Sequence, residues 1–287
     1  RDRITRSFLS RMITRLESEQ SVKEYLDIMD HRKTEQLIDT LDKVEQNRKE
    51  CYIREFSIEH FHDSKVFETL IPKICKIFRE ENEELTGFEN EEILAEYQIY
   101  KTPGYVYMKG NVQIYSAGKQ AADISAFPEG IAVAVGSEED VPDICPDQTI
   151  DKVFTIENLT SFYRFKQEHS LVIYLGGYHN RSRRNLLMQI YQKLPDAQYY
   201  HFGDLDAGGF YILEHLKRKT GIPFQMFQMD IETLKKYEDY AKPLTENDKK
   251  RLMQLEKMEL PDEERKLITY MLQKGIKLEQ ECISESQ

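Results

Sequence analysis

The second half of the chain repeats one pattern, in which a short apolar run rich in β-branched and aromatic residues precedes a stretch of helical character. The apolar runs cover residues 153–156, 171–175, 198–202 and 224–229, and helical stretches lie at about 160–167, 181–193 and 209–219. Strands that alternate with helices favour a mostly parallel sheet with helices on both faces. We therefore predict an α/β domain over residues 149–287, which is built on four strands and ends in charged C-terminal helices from residue 231.

The first half of the chain has a different character. Residues 1–50 contain no Gly or Pro and place apolar residues at helical spacing, which predicts a helical arm of two or three long helices. In residues 51–148, Asp63 is a candidate N-cap for a helix that ends near Arg79, and a second helix is expected at about 90–97.

A hairpin is expected after these two helices. Tyr105–Met108 and Val112–Tyr115 flank Lys109-Gly110-Asn111, which is typical of a tight turn. Helix, helix and hairpin is the order of a winged-helix-like DNA-binding domain, although many unrelated α+β domains share it. The segment Pro142–Gln148 is the candidate linker to the α/β domain.

Composition limits the classes of function. The net charge is −11, which excludes a uniformly basic nucleic-acid surface, yet residues 151–230 hold ten Lys and Arg against eight Asp and Glu. No apolar run approaches the length of a membrane span, and we expect no signal peptide. The four cysteines lie far apart, so we expect free thiols in a reducing cytoplasm. Because the chain begins at Arg1, we expect an upstream part.

Acidic residues follow two of the predicted strands. Glu157 ends the first strand, and Asp204 and Asp206 end the third. The carboxyl ends of parallel strands form the crevice where ligands bind, so these carboxylates are expected to converge there. Close carboxylates repel one another unless a cation lies among them, and Mg²⁺ prefers oxygen ligands. The pattern predicts a Mg²⁺ or Mn²⁺ site for phosphoryl chemistry, although singly each acid also suits a helix terminus or turn.

Further charged residues are expected near the same edge. Arg181, Arg183 and Arg184 open the helix after the second strand and are candidates for contacts with DNA phosphates, or simply a solvated helix start. Asp230 and Glu281 are additional acids that also suit a helix cap and a solvated terminal helix. His179 and His201 lie nearby in the sequence, although a single His is more often packed or exposed than catalytic.

These residues resemble a known fold and family. Glu157-Asn158 after a strand, followed by strand-end Asp204-Leu205-Asp206, is similar to the Toprim fold of topoisomerases, primases and some nucleases. The longer strings resemble the Wadjet JetD-like family, which is similar to the A subunit of topoisomerase VI. They are Phe56–Lys65, Ile156–Phe162, Gly203–Phe210, Met229-Asp230 and Leu278–Glu281.

The resemblance implies a function and roles for the acids. Glu157 would be the general acid or base and a metal ligand, while Asp204 and Asp206 would hold Mg²⁺ or Mn²⁺. The implied activity is a Toprim endonuclease that cleaves double-stranded DNA in plasmid or phage defence. The implied partners are an SMC-like motor with its kleisin, and a homodimer is expected because topoisomerase VI A-like proteins act as dimers.

Two other functions stay open at this point. The first is a topoisomerase VI A-like subunit that cuts DNA through a tyrosine, for which Tyr52 is the nearest but poorly marked candidate. The second is a non-catalytic DNA-binding subunit with a degenerate site, against which the complete set of three acids argues. The fold by itself decides between none of these.

Overall fold

The structure is a computed structural model, and it describes residues 4–82, 85, 88–101, 104–116, 118–135, 143–176 and 181–283. The chain forms two compact units, Arg1–Pro103 and Gly104–Gln287. Among the helices of the described residues, none has both the length and the apolar character to cross a membrane.

The first unit is mainly helical. Its described elements are α1 (Ile4–Glu17), α2 (His31–Gln46), β1 (Cys51–Tyr52), α3 (Ile53–Phe61), α4 (Val66–Glu81), α5 (Asn90–Glu96) and β2 (Ile99–Tyr100). Asp30 caps α2, since its carboxylate accepts a hydrogen bond from the Lys33 N–H at 3.1 Å.

The predicted helical arm is not separate from the residues that follow it. Helices α1 and α2 pack against α4, and Ser7 and Arg11 of α1 both bind Glu81, at 2.6 and 2.5 Å. The apolar residues at 22–29, which had helical spacing, form turns instead, and the Met29 side chain is almost fully exposed. Burial of the inner faces of α1 and α2 against α4 therefore joins residues 4–50 to the first unit.

The second unit contains the α/β fold. Its described strands are β3 (Gly104–Lys109), β4 (Val112–Ser116), β5 (Lys119–Asp123), β6 (Ile131–Val135), β7 (Asp143–Pro146), β8 (Lys152–Ile156), β9 (Ser170–Tyr174), β10 (Gln198–Phe202), β11 (Gln225–Met226), β12 (Lys242–Pro243) and β13 (Ile276–Lys277). Its helices are α6 (Leu159–Arg164), α7 (Arg181–Lys193), α8 (Ala207–Thr220), α9 (Ile231–Lys236), α10 (Glu246–Leu255) and α11 (Asp262–Lys274).

The main sheet has six strands in the order β11-β10-β8-β9-β3-β6. The strands β11, β10, β8 and β9 pair in parallel, as the alternation of strands and helices predicts. Two upstream strands extend this sheet in the antiparallel sense, because β3 pairs with β9 and β6 pairs with β3. The mixed α/β class is confirmed, and the sheet is larger than the four strands expected.

Helices cover both faces of this sheet. Alternate residues of the central strands enter two apolar clusters, with Val153 of β8 in one and Phe154 in the other. The first cluster includes Leu186, Leu187 and Ile190 of α7, and the second includes Phe162 of α6 and residues of α10 and α11. The strands are therefore buried on both sides, which explains their nearly continuous apolar sequences.

The predicted hairpin at residues 105–115 is wrong. Strand β3 belongs to the six-stranded sheet, whereas β4 joins a second sheet of order β5-β4-β7. The chain leaves β3 at Gly110, whose φ is +135° and whose Cα lies against β9. The two strands diverge because β3 finds its partner in β9, so the hairpin gives no support to a winged-helix-like domain. The division between units also falls at 103/104 rather than at the linker expected near 148.

We predict that Gly110→Ala destabilises the protein more than Gly118→Ala does. Both glycines have positive φ, but a Cβ at Gly110 would meet the Ser170 carbonyl oxygen at 2.5 Å, and a Cβ at Gly118 would meet nothing within 4 Å. Urea unfolding should show a loss of about 1 kcal/mol for Gly118→Ala and about 3 kcal/mol or more for Gly110→Ala. Equal losses would show that the contact between β3 and β9 at Gly110 is not tight.

Candidate acidic site at the carboxyl ends of β8 and β10

The site is built on the parallel pairing of β8 with β10. In their register Thr155 lies opposite His201 and Ile156 opposite Phe202, so the two strands end side by side. The Glu157 N–H continues the ladder by donating to the Phe202 carbonyl at 3.0 Å. The chain proceeds from β8 to β9 on one side and returns to β10 on the other, which makes this the switch point where ligands bind in open α/β sheets.

Glu157 and Asp204 lie together at this edge. The Glu157 Oε2 atom accepts a hydrogen bond from the Asp204 N–H at 3.4 Å. Glu157 and Asp204 are both half-buried. Asp204 follows Gly203, which is the first residue after β10. The Glu157 carboxylate therefore contacts the backbone of Asp204 at the edge where the two strands end.

Asp206 immediately precedes α8 and caps it. Its Oδ1 atom accepts a hydrogen bond from the Gly209 N–H at 2.9 Å, as an N-cap does. A Cβ at Gly209 would lie 2.1 Å from the Asp204 carbonyl oxygen, so only glycine permits this close turn. The glycine allows α8 to start immediately behind Asp204, which keeps both aspartates at the edge of the sheet.

The C-terminal residues 278–281 complete the site. Leu278 and Leu205 exchange backbone hydrogen bonds at 2.9 and 3.1 Å. Gln280 is fully buried and joins both strand ends: its N–H donates to Asp204 Oδ1 at 2.7 Å, and its side-chain NH₂ donates to the Phe202 carbonyl at 3.1 Å. The Gln280 Oε1 atom accepts from the Asn158 N–H at 2.9 Å.

Glu281 is brought to the same edge by this segment. The side-chain NH₂ of Asn158, the N-cap of α6, donates to the Glu281 carboxylate. Glu281 is exposed, and it stands beside the strand end that carries Glu157. The predicted additional acid at 281 thus joins the site, whereas Asp230 is exposed and caps α9, with its Oδ1 accepting from the Thr233 N–H at 2.7 Å.

The electrostatics of the site are unfavourable for an ionised Asp204. Burial, together with the charges of Asp206, Glu281 and Glu279, raises the pKa of Asp204 to about 6, although the hydrogen bond from the Gln280 N–H acts in the opposite direction. Hard cations are typically bound where carboxylates are crowded together and removed from water.

The donor chemistry fits Mg²⁺ or Mn²⁺, because the side chains at the edge offer carboxylate oxygens. Within the described residues, however, no three His, Cys, Asp or Glu side chains lie close enough together to hold an ion. One oxygen of Asp206 is held in the helix cap, and Glu281 is held by Asn158. Rotation of these side chains would be needed to close an ion site around Asp204, so the metal site stays a prediction.

The three arginines of α7 are placed differently from one another. Arg184 is buried, and Arg183 is half-buried and donates to the carbonyls of Leu175 and, at 3.3 Å, Tyr105. The side chain of Arg181 lies outside the described residues, as does His179. Arg184 is thus removed from solvent and Arg183 only partly so, and the proposed contact of these arginines with DNA stays an untested prediction.

Sequence reasoning missed the role of Gln280. Its neighbours Glu279 and Glu281 make the segment look like a solvated, charged end, and only the short apolar Leu278 marks a residue that is buried. A neutral amide between two acids was the available signal, because it can both donate and accept hydrogen bonds in a buried position.

Comparison with known proteins now places the chain in a family. The family described as Wadjet protein JetD, C-terminal, matches residues 139–287, and the chain belongs to it. The chain is also 28% identical over 263 residues to the Wadjet protein JetD of Bacillus cereus (strain Q1). The matched region covers 90% of this chain and 63% of that protein, so the chain spans less than two thirds of its relative. The resemblance to the Wadjet JetD-like family seen in the sequence is confirmed.

We predict that Asp204→Asn stabilises the protein at neutral pH and not at acid pH. A folded-state pKa of about 6, above the ordinary value near 3.9, means that the folded protein binds the proton more tightly, so stability falls as pH rises from about 4 to 6. The Asn carbonyl can still accept from the Gln280 N–H. Relative to the parent, the free energy of unfolding should therefore rise by about 3 kcal/mol at pH 7.5 and stay nearly unchanged at pH 4.

Asp230→Asn is the matched control. Asp230 is exposed, and Asn is an equally good N-cap, so this variant should match the parent at both pH values. An Asp204→Asn variant that is less stable than the parent at pH 7.5 would show that the Asp204 charge does not destabilise the folded protein.

Proposed function

We propose that this chain is the nuclease part of a Wadjet-type defence system and that it cleaves double-stranded DNA with Mg²⁺ or Mn²⁺. The observation that carries the proposal is the contact of the Glu157 carboxylate with the Asp204 backbone N–H at the switch point of a parallel sheet, with Asp206 two residues further along the chain. Four parallel strands, with Glu157 and Asp204 beyond the ends of two of them, support a Toprim-like nuclease domain. Family membership supports the assignment to the Wadjet system.

Each acid has a separate task in this proposal. Asp204 and Asp206 would hold the ion, since both follow β10 and can turn their oxygens to the same point. When bound, the ion would neutralise charge on the scissile phosphate and lower the pKa of a bound water. Glu157 projects from the neighbouring strand, so it would transfer the proton between the attacking water and the leaving oxygen.

DNA would approach this edge beside α6. A groove of about 700 Å³ lies next to Glu281 and is lined by residues of α6 and the loop after it, including Tyr163, Arg164 and Lys166. All three of these residues are exposed. Because the chain as a whole is acidic, phosphate contacts must come from such local cations. Arg164 and Lys166 suit this role better than Arg184, which is buried, and Arg183, which is half-buried and donates to backbone carbonyls.

Partners follow from the family rather than from the geometry. We propose that the chain acts with an SMC-like motor and its kleisin, and that two copies form a homodimer, because a double-strand cut needs two sites. Sedimentation or light scattering would test the dimer independently of the nuclease activity.

We predict a cleavage series that separates the acids. The parent should cut plasmid DNA with Mn²⁺ or Mg²⁺ and stop in chelator. Glu157→Gln should lose about 10²–10⁴-fold in rate at saturating metal, because a proton-transfer group is removed. Asp204→Asn and Asp206→Asn should need more metal and recover partly in excess Mn²⁺. Asn at 206 still caps α8, so a loss there reports on the charge and not on the helix.

Asp230→Asn serves as the unaffected control for this series. A parent that cuts fully in chelator, or a Glu157→Gln variant that cuts like the parent, would contradict the mechanism. A covalent protein–DNA adduct after denaturation would instead indicate tyrosine-dependent cutting, and DNA binding without any cutting would indicate a non-catalytic subunit.

We also predict which cations bind DNA. The double variant Arg164→Ala/Lys166→Ala should weaken binding to all sequences alike and lower the salt slope of binding by about 2, because each removed cation would no longer neutralise a phosphate. Lys119→Ala/Lys266→Ala is the matched control, since these lysines are exposed and do not line the groove. Equal effects of the two double variants in a titration across salt concentrations would rule out the groove as the DNA site.

A further inference from the structure

His201 is a fully buried histidine on one of the two strands that carry the candidate acidic site. It lies on β10 opposite Thr155 of β8, and its Nδ1 atom is 3.0 Å from the Thr155 Oγ1 atom. Burial, together with the charge of Lys217, lowers the pKa of His201 to about 3, so the imidazole is neutral across the physiological range.

The other ring nitrogen faces the acidic edge. Within the described part of the chain, the Nε2 atom of His201 is buried and has no hydrogen-bond partner. It lies 2.9 Å from the point where a Cβ of Gly203 would stand, and the Glu157 Oε2 atom lies 2.8 Å from that same point. The imidazole edge and the Glu157 carboxylate thus both border the space that a side chain at position 203 would occupy.

The tautomer of His201 depends on where Thr155 directs its single hydroxyl hydrogen. The hydroxyl is 3.0 Å from Nδ1 and 3.2 Å from the Tyr200 carbonyl oxygen. If it donates to the carbonyl, His201 Nδ1–H must donate to Oγ1, and the Nε2 lone pair faces the Glu157 carboxylate. If it donates to Nδ1, Nε2 carries the proton and presents it to the carboxylate. Repulsion between a lone pair and an anion in a buried space favours the second arrangement.

We propose that His201 is a positioning residue, whose Nε2–H holds the Glu157 carboxylate in place and whose ring is fixed by Thr155. The contact forms by a small rotation of Glu157 across Gly203. The histidine exchanges no proton with substrate and is not catalytic. The consequence for cleavage rests on the proposed nuclease function, whereas the contact itself does not.

The contact is tested by NMR of the imidazole rings in ¹⁵N-histidine-labelled protein. The His201 resonances are assigned as those that move in Thr155→Val, and independently as those that disappear in His201→Gln. We expect a neutral ring with the proton on Nε2, and a shift of the Nε2 resonance in Glu157→Gln. A proton on Nδ1, or ring resonances that Glu157→Gln leaves unchanged, would overturn the proposal. This readout needs neither metal nor DNA.

A pair of variants tests the consequence for cleavage. The amide nitrogen of Gln at 201 can reach the place of Nε2, whereas that of Asn reaches only the place of Nδ1. His201→Asn should therefore cut DNA about 10–100-fold more slowly, as when a group that orients a functional side chain is removed, while His201→Gln stays within a few-fold of the parent. Thermal melting of both variants reports on folding separately.

Equal cleavage rates for the Gln and Asn variants would assign His201 a packing role only and overturn the proposal. If the parent itself cuts no DNA with either metal, the proposed nuclease function fails, and the NMR experiment still decides whether His201 contacts Glu157.

Discussion

The parallel pairing of β8 with β10 is the interaction on which the candidate site depends. It aligns Thr155 with His201 and brings Glu157 beside Gly203 and Asp204, although Glu157 and Asp204 lie 47 residues apart in the chain. A shift of one residue in this register would turn every side chain of the strand to the other face. The two apolar clusters on opposite faces of the sheet prevent such a shift, so the core sets the geometry of the acids.

The acids also need partners that the strands do not supply. Gln280 arrives from the C-terminal end of the described chain and donates its backbone N–H to Asp204, while its side chain binds both strand ends. Gly209 allows α8 to start against the Asp204 carbonyl. The result is a carboxyl group that is held in place, largely removed from water and crowded by other acids, and hence one whose charge is costly without a cation.

The sequence predicted the elements of the α/β unit more reliably than their neighbours. The strands at 153–156, 171–175 and 198–202 and the helix at 181–193 are present within a residue or two. Long apolar runs and helical periodicity are local signals, and both survive in a sheet that is buried on two faces. Pairing is not a local signal. Nothing in residues 105–115 shows that β3 bonds to β9 rather than to β4, and the predicted hairpin failed for that reason.

The same distinction applies to the site. By itself the sequence determined that Glu157 and Asp204 follow strands and that Asp206 precedes a helix, because apolar runs end just before the first two and a helical stretch starts just after the third. It also carried the strings that place the chain in its family. Only the tertiary structure decided which groups meet there. It brought Gln280 to Asp204, placed the Nε2 atom of His201 beside Gly203 and buried Arg184. These contacts depend on tertiary folding, which the spacing of residues along the chain does not reveal.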